Sequence, residues 1–374
     1  MEICGIICEY NPLHLGHQKQ LTAIRKQFPA GGIVCLMSGN YVQRGAPAIF
    51  DKSLRAEAAV LAGADLVLEL PVTASLSSAE GFASEGVRIL SGFCSHLCFG
   101  AESGTKESLM QTATALLSPD FSKALKAQLE KGLSFPAARQ AALGSDLLSQ
   151  PNDILGTEYC KAIITQKSSM EPLVIRREGS YHAQTPDAAN PSATALRKQM
   201  LENDTWLDYI PEEARDCFRH AIIHTLHAGE KAILARLRTM TEAEFEALPH
   251  GSEGLWRKFM RAAHTQATLE EILTEVKSKR YTRTRIDRMM MCAYLGITRE
   301  MLLTPAPYTR ILAFNDKGRE ILKAARGSGV FVNAGEKTGD QYEALEAKCG
   351  ALYTLFATNP GDPSPENGRR IKHI

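Results

Sequence analysis

The sequence lacks a charge bias, a long apolar run and a paired set of cysteines. Its 43 Lys and Arg residues nearly balance its 42 Asp and Glu residues, and the formal net charge of +1 excludes a polycationic chain. Any nucleic-acid surface must therefore come from local segregation of charge. No charged-then-apolar leader opens the chain, and no apolar run reaches the roughly 18 residues typical of a membrane span.

The nine cysteines are single, scattered and mostly flanked by apolar residues. An odd, dispersed set is typical of free thiols in a reducing compartment and not of a disulfide framework. We therefore expect a cytoplasmic protein without a membrane partner.

Most of the chain alternates short apolar runs with helical patterns. Over the first 200 residues this alternation predicts a Rossmann-like α/β domain with a parallel sheet and helical crossovers. The runs that predict its strands are 3–8, 33–37, 66–70, 96–99 and 173–175. Beyond them the pattern is helical almost throughout, until a segment at 311–332 that is typical of a small βαβ unit.

The predicted organisation is therefore two domains and a tail. Residues 1–205 form the α/β domain, and residues 206–358 form a mainly α-helical C-terminal domain. Residues 359–374 are rich in Pro, Gly and charge, which favours a flexible tail.

A histidine pair follows the first predicted strand. His14, Gly16 and His17 stand where a loop opens a helix. Ligands of open α/β sheets bind at the carboxyl ends of the strands, and a helix N-terminus there suits phosphate. Gly16 would let a nucleotide approach the backbone, and the two imidazoles would donate hydrogen bonds to phosphoryl oxygens. Surface polarity and a metal site are the alternatives, although no third ligand stands at a useful spacing.

Polar residues follow the other predicted strands as well. A loop at 38–47 contains Arg44, and Asp51, Lys52 and Arg55 come after it at a helix start. An ordinary surface loop is the alternative for 38–47, and an N-cap is the alternative for Asp51. Further candidates at strand ends and helix starts are Gly100, Asn152, Arg177, Ser192, Thr194 and Arg197. Asn152, Ser192 and Thr194 are equally plausible as N-caps, while Ser192, Thr194 and Arg197 together resemble a phosphate cradle.

A basic segment, residues 277–288, is the candidate RNA-binding surface. Asp287 is the only acidic residue within it, and Tyr281 would be available to stack on a base. A solvated helix face is the alternative. The proposed RNA contacts are Lys279, Arg280, Arg283, Arg285 and Arg288.

These motifs together resemble the tRNA(Met) cytidine acetate ligase family of the HIGH-type nucleotidyltransferase superfamily. The resemblance rests on six segments in order: EYNPLHLGH, SGNYVQRGAPA, GADLVLELP, FGAE, QPNDILGTEY and SATALR. Leu13, Leu15, Ala101 and Leu196 depart from the residues usual in that family.

The resemblance implies an enzyme that uses ATP and acetate to form N4-acetylcytidine at the wobble position of elongator tRNA(Met). Acetate would be activated as acetyl-adenylate, with Mg²⁺ on the phosphates and no other cofactor or resident metal. His14 and His17 would be catalytic, and Arg177 and Arg197, with Lys19 or Arg44, would hold pyrophosphate. The implied ATP contacts are Ile7, Cys8, Glu9, Tyr10, Asn11, Pro12, Leu13, His14, Leu15, Gly16, His17, Gln18, Lys19, Gln20, Gly100, Asn152 and Arg177.

Two other functions fit the residues. A small-molecule adenylyl- or cytidylyltransferase would need only the first domain, and the basic helical half argues against it. A non-enzymatic RNA-binding protein on the same fold would have no use for His14, Gly16 and His17.

Overall fold

The computed structural model of the protein describes residues 1–176, 191–203, 205–329 and 331–374. Strands and helices alternate through its first half, as predicted. The strands of the described residues are β1 (Ile3–Cys8), β2 (Gly32–Ser38), β3 (Tyr41–Val42), β4 (Ala46–Pro47), β5 (Leu66–Leu70), β6 (His96–Ala101), β7 (Glu171–Arg176), β8 (Thr309–Phe314), β9 (Phe331–Asn333) and β10 (Lys372–His373).

Helices fill most of the second half. The α-helices of the described residues are α1 (Leu15–Gln27), α2 (Lys52–Leu61), α3 (Val72–Ser75), α4 (Ala79–Leu90), α5 (Lys106–Leu116), α6 (Pro119–Glu130), α7 (Phe135–Leu143), α8 (Pro151–Thr165), α9 (Ala193–Gln199), α10 (Arg215–Phe218), α11 (Glu230–Thr239), α12 (Glu242–Glu246), α13 (Leu255–Thr265), α14 (Leu269–Val276), α15 (Arg283–Leu295), α16 (Arg299–Leu303), α17 (Asp316–Ala324), α18 (Gln341–Tyr353) and α19 (Pro365–Gly368).

One sheet organises the molecule, in the order β10-β8-β5-β2-β1-β6-β7, with β9 beside β8. The five adjacent strands β5, β2, β1, β6 and β7 are parallel. β8 pairs antiparallel with β5, and β9 and β10 run parallel to β8. The predicted α/β class with a parallel sheet is therefore confirmed. The carboxyl ends of β1, β2, β6 and β7 meet at one edge, where the loops that follow them can build a site.

The central strands are apolar on both faces because helices cover both. Cys4 and Ile6 of β1 belong to a core cluster on one face, and Ile3 and Ile7 belong to the cluster on the other. This alternation follows from the two-residue period of a strand. It explains why these strands read as continuous apolar runs.

The C-terminal residues join this sheet instead of forming a separate unit. The predicted βαβ unit is present as β8, α17 and β9, with the two strands parallel. Because β8 also pairs with β5, the sheet takes strands from both sides of the predicted boundary at residue 205. A third hydrophobic cluster lies within the helical part and includes Tyr41 and Leu76 from the first half.

The last residues differ from the flexible tail that their composition favoured. β10 pairs in parallel with β8, and Glu366 and Arg369 are buried nearby. The Lys52 ammonium lies 3.0 Å from a Glu366 oxygen, and Arg369 Nη1 lies 2.7 Å from Asp51 Oδ1. The charges that suggested a solvated tail are instead the groups that attach it to α2.

Within the described residues, no helix combines the length and the apolar character that crossing a bilayer requires.

Candidate active site

A cleft of about 660 Å³ opens at the carboxyl edge of the sheet. Two loops form much of its wall: the first loop (residues 9–14) follows β1, and the second loop (residues 38–47) follows β2. The cleft brings together most of the predicted nucleotide residues, namely Ile7, Cys8, Glu9, Tyr10, Asn11, His14, Gly16, His17, Lys19, Gln20, Gly100, Asn152, Ser192, Thr194 and Arg197.

Four predicted contacts do not line this cleft. Leu13 is fully buried in the core beside β1, and Gln18 donates to Glu213 Oε2 at 3.4 Å. Pro12 and Leu15 are also absent from the lining. Arg177 lies outside the described residues, whereas its neighbour Arg176 does line the cleft.

His14 and His17 form the first turn of α1 as a unit. The backbone N–H of Gly16 donates to His14 Nδ1 at 3.1 Å, and the backbone N–H of His14 donates to His17 Nδ1 at 3.2 Å. The two rings stack with centroids 3.7 Å apart. Since Nδ1 accepts in both neutral rings, the ring proton sits on Nε2 in each. Both imidazoles are therefore poised to donate from Nε2.

Gly16 lines the cleft and also lies against the His14 ring. A Cβ at this position would lie 3.0 Å from His14 Cε1, which is closer than an ordinary side-chain contact. The absent side chain therefore makes room for the His14 ring. The capping geometry of α1 thus depends on both histidines and the glycine between them.

The second loop is tied to the first through side chains. The backbone N–H of Gln43 donates to Glu9 Oε1 at 2.7 Å, and the backbone N–H of Ile49 donates to Asn11 Oδ1 at 2.7 Å. Arg44 lines the cleft with Gln43, which favours a role in the site over an ordinary surface loop. Asp51 is the N-cap of α2, as that alternative stated, and its Oδ1 accepts from the backbone N–H of Ser53 at 2.8 Å.

A reciprocal cap fixes the far wall. Glu102 accepts hydrogen bonds from the backbone N–H groups of Asn152 and Asp153 and from the Asn152 side chain. The buried Asp153 carboxylate in turn accepts from the backbone N–H groups of Glu102 and Ser103, both at 3.0 Å. Helix α8 begins at Pro151 with Gln150 as its N-cap, so the N-cap alternative for Asn152 is wrong.

Helix α9 closes the cleft on another side. Ser192 is its N-cap and accepts from the backbone N–H of Ala195 at 3.1 Å, as the N-cap alternative stated. Arg197 donates to the Asn11 carbonyl at 2.6 Å and to Thr194 Oγ1 at 3.1 Å. Arg197 thus joins α9 to the first loop and carries a positive charge to the cleft.

Sequence patterns missed the apolar wall of the cleft. Phe82, Phe99 and Tyr159 line it and come from α4, β6 and α8. Each belongs to an ordinary amphipathic or buried pattern, so no local signal separates these residues from the rest of the core.

The Cys8 thiol of the cleft wall is held neutral. Burial raises the pKa of Cys8 well above its usual range, and the neighbouring Cys35 thiol adds to that effect. All nine cysteines are free. A thiolate nucleophile is therefore unfavourable at Cys8. No group of three or more His, Cys, Asp or Glu side chains that could hold a metal ion occurs in the described part of the chain.

The basic segment is only partly available to a ligand. Lys277, Lys279 and Arg280 are exposed. Arg280 also lies 3.3 Å from a Glu253 oxygen in an exposed ion pair. Arg283 is less exposed and is paired with Glu270 Oε2 at 2.7 Å, and Arg285 donates to the His250 carbonyl at 2.9 Å.

Two residues of the basic segment face the protein interior. Tyr281 is buried and donates its hydroxyl to the Glu253 carbonyl at 2.8 Å, so the expectation that it stacks on a base is wrong. Burial lowers the pKa of Arg288 to about 10, and its Nη1 lies 3.5 Å from the Gln43 carbonyl of the second loop. Arg288 therefore contacts the cleft wall rather than open solvent.

Comparisons with known proteins agree with this geometry. The HIGH Nucleotidyl Transferase family matches residues 1–366. A tRNA(Met) cytidine acetate ligase of Clostridium novyi is 37% identical over 86% of this chain and 87% of its own length. One from Clostridium acetobutylicum is 36% identical over 97% of this chain and 98% of its own.

Solved structures give the same result. The crystal structure of Thermotoga maritima TmcAL in its apo form superposes with a TM-score of 0.92 at 30% identity, over 100% of both chains. A second crystal structure of that protein, bound with alpha-thio ATP, superposes with a TM-score of 0.89 over the same coverage. The chain therefore belongs to the tRNA(Met) cytidine acetate ligase family of HIGH nucleotidyl transferases.

Proposed function

We propose that this protein activates acetate with ATP and transfers the acetyl group to the wobble cytidine of elongator tRNA(Met). The product is N4-acetylcytidine. The observation that carries the proposal is the stacked His14–His17 pair at the start of α1, which lines the cleft. The crystal structure of Thermotoga maritima TmcAL bound with alpha-thio ATP has the same fold. Family membership supplies the acceptor and the acyl donor.

Activation comes first because free acetate is a poor acyl donor. An acetate oxygen attacks the α-phosphorus of ATP, the bond to the bridging β-phosphate oxygen breaks, and pyrophosphate leaves. Negative charge then builds on the phosphoryl oxygens. Nε2–H of His14 and of His17 would stabilise it there, as fixed donors do in other sites of this kind.

Cationic side chains around the cleft would hold the departing pyrophosphate. Lys19, Arg44, Arg176 and Arg197 all line the cleft, and Arg177 follows Arg176 along the chain. Mg²⁺ would arrive on the ATP phosphates, because no acidic cluster among the described residues would hold the ion by itself. Positioning and charge neutralisation are the protein's main contributions to such a transfer.

The second step needs no enzyme nucleophile. The exocyclic amine of cytosine attacks the acetyl carbonyl of acetyl-adenylate, a carbon–nitrogen bond forms, and AMP leaves as the amine loses a proton. The neutral Cys8 thiol is consistent with direct transfer. The cleft is also open at its edge, as a tRNA acceptor would require.

The tRNA would bind along the helical part. Lys277, Lys279 and Arg280 present exposed charge next to α15, and α15 packs against the second loop. Lys and Arg neutralise phosphates, so binding should weaken as salt rises. A tRNA substrate and nine free thiols both favour a cytoplasmic location.

The direct test is mass spectrometry of tRNA nucleosides after incubation of the protein with ATP and isotopically labelled acetate. Labelled N4-acetylcytidine in elongator tRNA(Met) is the expected product, and initiator tRNA should stay unlabelled. Nucleotide transfer to a small metabolite, with tRNA unmodified, would support a small-molecule adenylyl- or cytidylyltransferase. Tight RNA binding without any turnover of ATP would support a non-enzymatic RNA-binding protein.

A further inference from the structure

Arg55 is fully buried and lies behind the two loops of the cleft. It is the largest side chain in the described residues with almost no exposure. Its position in the first half of α2 places it outside the cleft lining. An arginine removed from water in this way must find hydrogen-bond acceptors inside the protein.

The acceptors are four backbone carbonyls. Nε donates to the Phe50 carbonyl at 2.9 Å, and Nη1 donates to the Glu9 carbonyl at 2.6 Å and the Ser38 carbonyl at 3.1 Å. Nη2 donates to the Gly39 carbonyl. The nearby Asp51 carboxylate is paired with Arg369 and not with Arg55 in the described part of the chain.

These carbonyls stand at the points where both cleft loops begin. Glu9 opens the first loop, which leads to His14, and Ser38 and Gly39 open the second loop, which leads to Arg44. The planar guanidinium holds the two loop origins at a fixed separation, because its N–H groups point in set directions.

We propose that Arg55 is a positioning residue for acetate activation: it sets the distance between the first and second loops and so the placement of the two histidines against the second loop. It does not touch the nucleotide. This role rests on the proposed function, because it presumes that the cleft binds ATP.

The chain offers a matched control in Arg310. Its side chain is similarly buried, at 4% exposure, and it donates to the Asn333 carbonyl at 3.1 Å and the Glu336 carbonyl at 2.9 Å. It also forms an ion pair with Glu346 Oε2 at 2.8 Å. None of these three partners lines the cleft. Arg310→Met therefore removes a buried arginine, its carbonyl contacts and one ion pair without loosening either loop.

The experiment compares Arg55→Lys, Arg55→Met and Arg310→Met with the wild type. Acetate-dependent ATP–pyrophosphate exchange gives kcat and the KM for ATP, and thermal unfolding gives Tm. We expect Arg55→Met to lower kcat roughly 10- to 100-fold, since small misplacements of catalytic groups cost that much. The KM for ATP should change far less, because contacts from β6, α8 and α9 remain. Arg55→Lys should recover part of kcat, and Arg310→Met should lower Tm with kcat near the wild-type value.

The other outcomes of this experiment would contradict the proposal that Arg55 is a positioning residue. Folded Arg55 variants with wild-type kcat overturn it, as does an equal loss of kcat in Arg310→Met at a similar Tm. Failure of both Arg55 variants to fold, with Arg310→Met folded, would make Arg55 a folding determinant and not a positioning residue. Absence of exchange in the wild type would instead reject the proposed function and is distinguishable from all of these.

Discussion

Gly45 of the second loop lies directly against the backbone of Arg288 in α15. A Cβ at Gly45 would sit 2.4 Å from the Arg288 nitrogen, and the glycine has a φ of +77°. The loop that lines the cleft and the helix that follows the exposed basic residues are therefore in backbone contact. No side chain other than hydrogen fits between them.

Gly45→Ala should disturb this contact severely. The left-handed φ alone costs a side chain about 1–2 kcal/mol, and the collision with α15 adds to that. We expect a clear drop in Tm together with weaker exchange activity and weaker tRNA binding. Gly132→Ala is the control, because its φ is +84° but a Cβ there meets nothing within 4 Å. Equal losses of Tm in the two variants would show that the contact with α15 is unimportant.

The exposed residues of the basic segment give a second prediction. Lys279→Ala combined with Arg280→Ala should weaken tRNA binding and reduce the slope of log K against log salt by about 0.7–0.9 per charge removed. ATP–pyrophosphate exchange should be unchanged. These two positions are preferable to Arg283 and Arg285, which are less exposed and are held by Glu270 and the His250 carbonyl. The ion pair of Arg280 with Glu253 is exposed to solvent and should contribute under about 1 kcal/mol.

The matched control is Lys123→Ala with Lys126→Ala on α6, which removes two equally exposed charges elsewhere. Binding isotherms at several salt concentrations measure the effect. A control pair that weakens binding as much as the test pair would place the RNA elsewhere.

The ion pairs of the C-terminal residues predict a pH-dependent stability. Burial alone would raise the pKa of Asp51, but the charge and hydrogen bonds of Arg369 hold it well below its usual range. A depressed folded pKa stabilises the protein fully above the ordinary value near 3.8, and that stabilisation is lost as the pH falls below it. Arg369→Met should cost about 3–5 kcal/mol at pH 7, as expected for a broken buried pair, and less below about pH 4.

Urea unfolding of wild type and Arg369→Met at pH 7 and at pH 3.5 measures the loss in the free energy of unfolding at each pH. Lys372→Met is the control, because Lys372 pairs with Glu57 at a half-exposed position and should contribute under about 1 kcal/mol. The prediction would be contradicted if the free energies of unfolding of wild type and Arg369→Met differed little at pH 7, or if their difference grew in acid.

His250 should make the protein less stable in mild acid. Burial, together with the charges of Arg288 and Arg285, lowers its pKa to about 4, while its Nε2–H donates to the Leu76 carbonyl at 2.9 Å. Between pH 6.5 and 4 the unfolded chain takes up a proton that the folded chain refuses, so stability falls as the pH falls.

His250→Gln keeps a donor for Leu76 but cannot titrate, so its stability should change less across that window. Unfolding midpoints at half-unit steps of pH from 7 to 4 compare it with wild type and with His220→Gln, which alters an exposed histidine. If the unfolding midpoint of His250→Gln fell with pH as steeply as that of wild type, this histidine would be ruled out as the titrating group.

Local patterns predicted the parts of the molecule whose signals are local. Continuous apolar runs located β1, β2, β5, β6 and β7, and the histidine pair located the head of α1. These succeed because a two-sided buried strand and a helix cap each need specific residues within a short stretch.

Long-range contacts account for what the patterns missed. Glu366 reads as part of a charged tail, yet it is buried against Lys52, which lies 314 positions earlier. Tyr281 looked available for stacking, but its hydroxyl is bound to the Glu253 carbonyl. Arg55 looked like one more charge at a helix start, and only the fold shows its four carbonyl partners. No local pattern specifies a partner that distant in sequence.

The most direct measurement is acetate-dependent ATP–pyrophosphate exchange by His17→Gln. Gln at this position can still accept from the backbone N–H of His14, as in an ordinary capping box, but it lacks the imidazole. We predict a wild-type Tm with exchange reduced by roughly 100- to 1,000-fold, the usual loss for one donor to a developing anion. Exchange at the wild-type rate in this folded variant would contradict the claim that the histidine pair activates acetate with ATP.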